Sequence, residues 1–77
     1  MNCQKLKTIV FDEGIRHIGR HAFRNCPNLK NAYLPASIGY IDDTAFIDCP
    51  LLTIHCKQGS YAEKYASQNN LHYITDL

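Results

Sequence analysis

The feature that most constrains this chain is an internal repeat. Cys3, Cys26 and Cys49 follow one another at a step of 23 residues. Nearly all further positions that recur at this step are apolar or small: Leu6, Leu29 and Leu52, Ile15 and Ile38, Ile18 and Ile41, Ala22 and Ala45, and Phe23 and Phe46. A recurrence of this kind predicts stacked structural units, each of which buries its apolar face against its neighbours.

The length and the beginning of the repeat are typical of a leucine-rich repeat. Its period lies in the range of about 20 to 29 residues, and the usual pattern begins with L-x-x-L-x-L. Two segments match that beginning: Leu6-x-x-Ile9-x-Phe11 and Leu29-x-x-Ala32-x-Leu34. Gly14 and Ser37 stand where the usual pattern has Asn or Cys, so the chain carries a variant of the repeat.

Longer strings in the second repeat and in the tail narrow the kind of repeat. These strings are Asn25-Cys26-Pro27-Asn28-Leu29, Leu34-Pro35-x-Ser37-Ile38, Ile41-x-x-x-Ala45-Phe46 and, in the tail, Gly59-Ser60-Tyr61-Ala62-Glu63-Lys64-Tyr65-Ala66. Together they resemble the BspA-type leucine-rich repeat family and the segment that often follows its last repeat. The resemblance implies a solenoid used for adhesion and protein contact, without catalytic residues. It also implies a bacterial cell-surface or secreted location, with the chain as the C-terminal portion of a surface-type repeat protein.

We predict an α+β solenoid of about three short leucine-rich-repeat coils, with short parallel strands and a C-terminal capping helix. Residues 1–77 form a single leucine-rich repeat domain. Its coils span residues 2–24, 25–48 and 49–58, and residues 59–77 form the capping helix and a final edge segment. The third coil is the terminal one, because Ile54 and Cys56 come one place early and no second half follows.

Apolar periodicity predicts the elements of each coil. Alternation predicts one strand per coil, with the inward residues Ile9, Phe11, Ala32, Leu34, Ile54 and Cys56. The second half of each full coil begins at Gly14 or Ser37, and we call it the return leg. It is predicted to be a short strand followed by a single helical turn. Ser60 and Glu63 predict a capping box at the start of the final helix, and Asn69–Asn70 predict its end. Leu71 to Ile74 alternate, which predicts a last edge strand.

The N-terminal side of the first coil has no predicted cover. The apolar face under Leu6, Ile9 and Ile15 is expected to meet either further upstream repeats or a second copy of the chain. The second case is the alternative hypothesis for function: a self-associating assembly unit, a homodimer formed through its uncapped N-terminal coil.

Composition removes several classes of partner. The 77 residues are 45% apolar and 19% charged, with a formal net charge of +1 and no run of basic residues. Nothing therefore favours nucleic acid. No apolar stretch approaches the roughly 20 residues that span a bilayer, and the first residues contain no apolar signal-peptide core. We predict neither nucleic-acid binding nor membrane insertion.

The cysteines and histidines do not form a pattern that predicts chemistry. One cysteine per coil makes a linear column, whereas zinc needs four ligands around one point, so we expect buried, reduced thiols; a Cys26–Cys49 disulfide stays open. His17 and His21 lack a third ligand and are predicted to be solvated. A nucleophile pair of Cys56 with His55 or His72 lacks an orienting group. We therefore predict no catalytic residue, no metal, no cofactor and no enzyme activity.

The candidate binding site is the outward face of the predicted strands. Alternation places on it Thr8, Val10, Asn31, Tyr33, Thr53 and His55. Exposed aromatic residues are enriched at interfaces, and solenoids bind through extended surfaces. We therefore predict a non-enzymatic protein–protein interaction or adhesion module with a protein partner.

Overall fold

The computed structural model describes residues 4–77, in which six short strands and one helix form. They are, in chain order, β1 (Thr8–Val10), β2 (His17–Ile18), β3 (Asn31–Tyr33), β4 (Tyr40–Ile41), β5 (Thr53–His55), α1 (Tyr61–Gln68) and β6 (His72–Ile74). The predicted coil start at residue 2 and the first repeated cysteine, Cys3, lie outside the described residues.

The strands form two parallel sheets. One contains β1, β3, β5 and β6 in that order, and the other contains β2 and β4. Ile9 lies opposite Ala32, which lies opposite Ile54. The spacing between these partners is 23 residues and then 22, so the third strand does come one place early. The predictions of short parallel strands, and of a final strand at Leu71 to Ile74, are confirmed.

The core lies between the two sheets and α1. Ala32, Leu34, Ile54 and Cys56 were predicted to point inward and are completely buried. Their counterparts in the first repeat, Ile9 and Phe11, are only partly buried. Complete burial of a side chain such as Leu34 or Ile54 stabilises the folded state by about 1.5 to 3 kcal/mol, compared with leaving it exposed. The apolar core therefore deepens from the first repeat toward the helix.

Polar side chains also join successive repeats. Ser37 Oγ donates to the Ile15 carbonyl at 2.7 Å and accepts from the Gly14 amide at 3.2 Å. Thr44 Oγ1 accepts from the His21 amide at 3.2 Å and donates to Asp42 at 2.7 Å. Each contact between repeats joins residues 22 or 23 apart. Backbone groups that the turns leave unpaired are satisfied in this way.

The return legs combine a two-residue strand with successive turns. β2 and β4 are followed by turns in which the Ala22 amide bonds the Gly19 carbonyl and the Ala45 amide bonds the Asp42 carbonyl. The predicted single helical turn takes this form. Each return leg ends on a residue in the left-handed region, Asn25 with φ 60° and Asp48 with φ 61°. Asn and Asp adopt this conformation more readily than most residues.

α1 begins and ends as its sequence predicts. Ser60 is the N-cap and accepts from the Glu63 amide at 3.3 Å, while the Glu63 carboxylate accepts from the Gly59 amide at 2.8 Å. The return bond of the capping box therefore reaches one residue further back than usual. Asn70, with φ 58°, ends the helix, and the Leu71 amide bonds the Ala66 carbonyl at 2.9 Å. This is a Schellman arrangement with Asn in the position that Gly usually takes.

Candidate functional site

The strand register assembles one outward face from four strands. Two rows cross it: Thr8, Asn31, Thr53 and His72, and then Val10, Tyr33, His55 and Ile74. We call this surface the strand face. It brings together all six residues that were predicted from alternation. It also adds His72 and Ile74, which sequence reasoning missed because the alternation of Leu71 to Ile74 predicts a strand but not its neighbour.

Exposure differs along the strand face. Val10 is 67% exposed and Ile74 44% exposed, whereas Tyr33 is half-buried. His55 is only 8% exposed. It points outward from β5 as predicted, but it is not the open contact residue that an outward position suggests. The reason is that a residue near the C-terminus, Asp76, reaches its ring.

His55 is held on three sides. Its Nδ1 lies 2.8 Å from Asp76 Oδ2 and its Nε2 lies 2.8 Å from Asn31 Oδ1. A protonated ring donates to both oxygens, and a neutral ring keeps both contacts if the Asn31 amide turns its NH₂ toward it. The Tyr33 ring stacks on the His55 ring at 4.2 Å, with 16° between the planes. Tyr33 and His55 thus form a preordered aromatic pair at the centre of the strand face.

A groove of about 630 Å³ adjoins this pair. Its apolar lining comes from Val10, Phe11, Tyr33, Pro35, Ala36 and Leu77. The charged residues at its edge are of opposite sign, Glu13 and Lys57. The Leu77 amide donates to the Cys56 carbonyl at 3.2 Å, which holds the C-terminus beside β5. We call this cavity the strand-face groove. Two of the predicted binding residues, Val10 and Tyr33, line it.

The cysteines of the described chain pack as apolar groups. Cys26, Cys49 and Cys56 are free and buried. Burial raises the pKa of the Cys49 and Cys56 thiols, and a higher pKa leaves less of the thiolate that acts as a nucleophile. Cys49 Sγ donates to the Phe23 carbonyl at 3.1 Å. The prediction that these cysteines are buried is therefore confirmed.

The histidines that could have served chemistry are engaged elsewhere. The His55 ring bonds Asn31 and Asp76 rather than a cysteine. The exposed His17 ring stacks on Tyr40 at 5.2 Å. Within residues 4–77, no group of three or more His, Cys, Asp or Glu residues is arranged to hold a metal ion.

Comparison with known proteins identifies the repeat. A family profile described as the BspA type leucine rich repeat region, with six copies, matches residues 1–75. The chain belongs to the BspA-type leucine-rich repeat family. The resemblance in the sequence strings is therefore confirmed. No curated protein and no solved structure gives a significant match.

Membership of the BspA-type family implies a solenoid-like repeat fold and a role as a protein-interaction module. Leucine-rich repeats are generally not enzymes. In the part of the chain that the structure describes, no helix is long and apolar enough to cross a membrane.

Proposed function

We propose that this BspA-type chain binds a protein partner through its strand face. The observation that carries the proposal is the stacked pair of Tyr33 and His55, held by Asn31 and Asp76. Val10 and Ile74 flank the pair as exposed apolar side chains in the same row. An apolar, aromatic centre with polar neighbours is the composition typical of a protein interface.

Rigidity favours binding by this face. A side chain that is already ordered loses less conformational entropy when a partner packs on it. The Tyr33 ring is held against His55, and both ring nitrogens of His55 are bonded. Tyr is among the residues that most often carry binding energy, especially beside a pocket that excludes water. Tyr33 lines the strand-face groove, from which a bound partner would displace water.

The finer parts of the proposal concern architecture and place. We infer three stacked coils, at residues 2–24, 25–48 and 49–58, closed by α1 and β6. The strand order and the burial of Ala62, Tyr65 and Ala66 against the last repeat support this arrangement. The chain then acts in adhesion, at a bacterial cell surface or as a secreted protein, and its partner is a protein, as the BspA-type resemblance implies.

The test measures binding of the chain to a panel of immobilised extracellular-matrix proteins. Val10→Asp and Tyr33→Ala are expected to weaken a positive signal at least roughly tenfold, since central aromatic and apolar contacts often contribute 2 kcal/mol or more. Lys64→Ala, on the exposed side of α1, is the control and should bind like the unchanged chain. Binding that survives both strand-face changes would remove this face from the proposal, and no binding to any matrix protein would remove adhesion.

A second candidate function is self-association through the first repeat. Leu6, Ile9, Phe11 and Ile15 are only partly buried, whereas their counterparts one repeat later are buried in the core. The second repeat is covered by the first, so the same apolar positions of the first repeat remain available to pack against another apolar surface. A second copy of the chain is the occupant in this candidate.

A further inference from the structure

A second groove, of about 710 Å³, lies between the repeats and α1. It is distinct from the strand-face groove, because the two share no lining residue. Its lining comes from the ends of two return legs and from the end of the helix, and it includes Asp43, Ile47, Asp48, Pro50, Tyr65 and Asn69. We call it the helix-side groove. Its volume falls within the range of about 300 to 1,000 Å³ that is usual for ligand pockets.

The wall of the helix-side groove is apolar and aromatic. Phe46 and Tyr65 are packed in the core, with ring centroids 6.4 Å apart. Ile47 is 43% exposed at the rim, beside the exposed Pro50. An aliphatic side chain that packs on Ile47 and Pro50 would leave water for an apolar surface.

The charge of the helix-side groove has a single sign. Asp43 and Asp48 are both exposed on its lining, and the lining contains no Lys, Arg or His. Neither carboxylate forms an ion pair with another residue among residues 4–77. The strand-face groove differs, because Glu13 and Lys57 at its edge are of opposite sign.

The end of α1 adds to this negative potential. Asn69, the C-cap, lines the groove, and the last turn of the helix carries no basic residue. The C-terminal end of a helix bears a partial negative charge that attracts cations. The pKa of Tyr65, which also lines the groove, is raised to about 12, chiefly by burial and to a smaller extent by the charge of Asp43.

We propose that the helix-side groove binds a peptide segment of a partner protein in which an Arg or Lys is flanked by aliphatic residues. The aliphatic side chains contact the exposed apolar residues of the lining, Ile47 and Pro50. The cationic group lies between Asp43 and Asp48, near the end of α1. A fully apolar segment would leave the two carboxylates unpaired, and an acidic segment would be repelled.

The experiment titrates the full 77-residue chain with a short blocked peptide that contains Leu-Arg-Ile, followed by amide chemical shifts in NMR. A second peptide replaces arginine with citrulline, which has nearly the same shape without the charge. The arginine peptide is expected to shift residues 46–50 and 69–71, and to bind roughly three- to tenfold more tightly than the citrulline peptide, as suits two exposed charge pairs. Added salt should narrow that difference.

Variants of the chain test whether Asp43 and Asp48 cause the preference for the arginine peptide. Asp43→Asn with Asp48→Asn should bring the two peptides to equal affinity. Asn is tolerated at the left-handed φ of Asp48. Asp12→Asn removes one carboxylate at a residue that lines neither groove, and should keep the preference for arginine.

Several outcomes would overturn the proposal. These are equal binding of both peptides to the unchanged chain, absence of shifts at millimolar peptide, shifts centred on the strand-face groove, and an equal loss in the control variant. Free arginine methyl ester that binds as tightly as the peptide would mean a small-cation site instead. Because the first comparison uses the unchanged chain, it stands even if the Asn variant folds poorly. Failure here leaves the strand-face proposal untouched.

Discussion

At the scale of single residues, two histidines in neighbouring strands have opposite roles. His55 lies in β5 and His72 in β6, and both belong to the strand face. His55 is buried and bonded at both ring nitrogens, whereas His72 is exposed. The same residue type is therefore a structural anchor at one position and surface at the other.

This contrast predicts different costs for the same substitution. His55→Ala removes the partner of Asn31 and frees Asp76 near the C-terminus, so the free energy of unfolding should fall by about 1 to 3 kcal/mol. His72→Ala should change it by less than about 0.5 kcal/mol. Urea unfolding followed by circular dichroism measures both. Equal stability of the two variants would mean that the contacts of His55 add nothing to the fold.

At the scale of elements, the helix is the most locally encoded part of the chain. Its start rests on Ser60, Glu63 and Gly59, and its end on the left-handed Asn70. These contacts join residues no more than five apart, so they depend little on the rest of the fold. The strands are only two or three residues long and depend on their neighbours in the stack.

A matched pair of changes in and beside α1 tests its capping. Ser60→Ala removes the oxygen that accepts from the Glu63 amide, and should lower the free energy of unfolding by about 1 kcal/mol. Ser67→Ala places alanine on the exposed side of the same helix, where its higher helix propensity should stabilise by up to about 0.5 kcal/mol. The midpoint temperatures of thermal unfolding show which of the two variants is the more stable. A Ser60→Ala variant as stable as Ser67→Ala would show that the cap contributes nothing.

At the scale of the whole molecule, the two ends of the stack differ. The last repeat is packed against α1, in which Ala62, Tyr65 and Ala66 are buried. The first repeat keeps Leu6, Ile9 and Phe11 partly exposed. If a second copy of the chain covers these apolar side chains, two chains associate through their first repeats.

Light scattering after size exclusion, across a wide range of concentration, tests that association. A dimer is expected, and Ile9→Asp should give a monomer because a carboxylate in the covered face is costly to desolvate. The neighbouring Val10→Asp places the same charge on the strand face and should leave the dimer intact. A monomeric mass for the unchanged chain at every concentration would end this candidate, whatever the variants do.

The sequence alone determined the parts of this protein that are periodic or local. The 23-residue step predicted the parallel strands, and alternation predicted that Ala32, Leu34, Ile54 and Cys56 would be buried. Neighbouring units contact one another at a fixed spacing, so a pattern along the chain carries that information. The helix caps were predictable because their hydrogen bonds join residues close in sequence.

Only the tertiary structure decided where the non-repeating tail lies. The pairing of β6 with β5 brought Ile74 beside His55, and Asp76 reached the His55 ring across 21 residues of chain. The helix-side groove likewise joins the ends of two return legs to the end of α1. No period or cap encodes these contacts, because each depends on how a segment that occurs once packs against units that repeat.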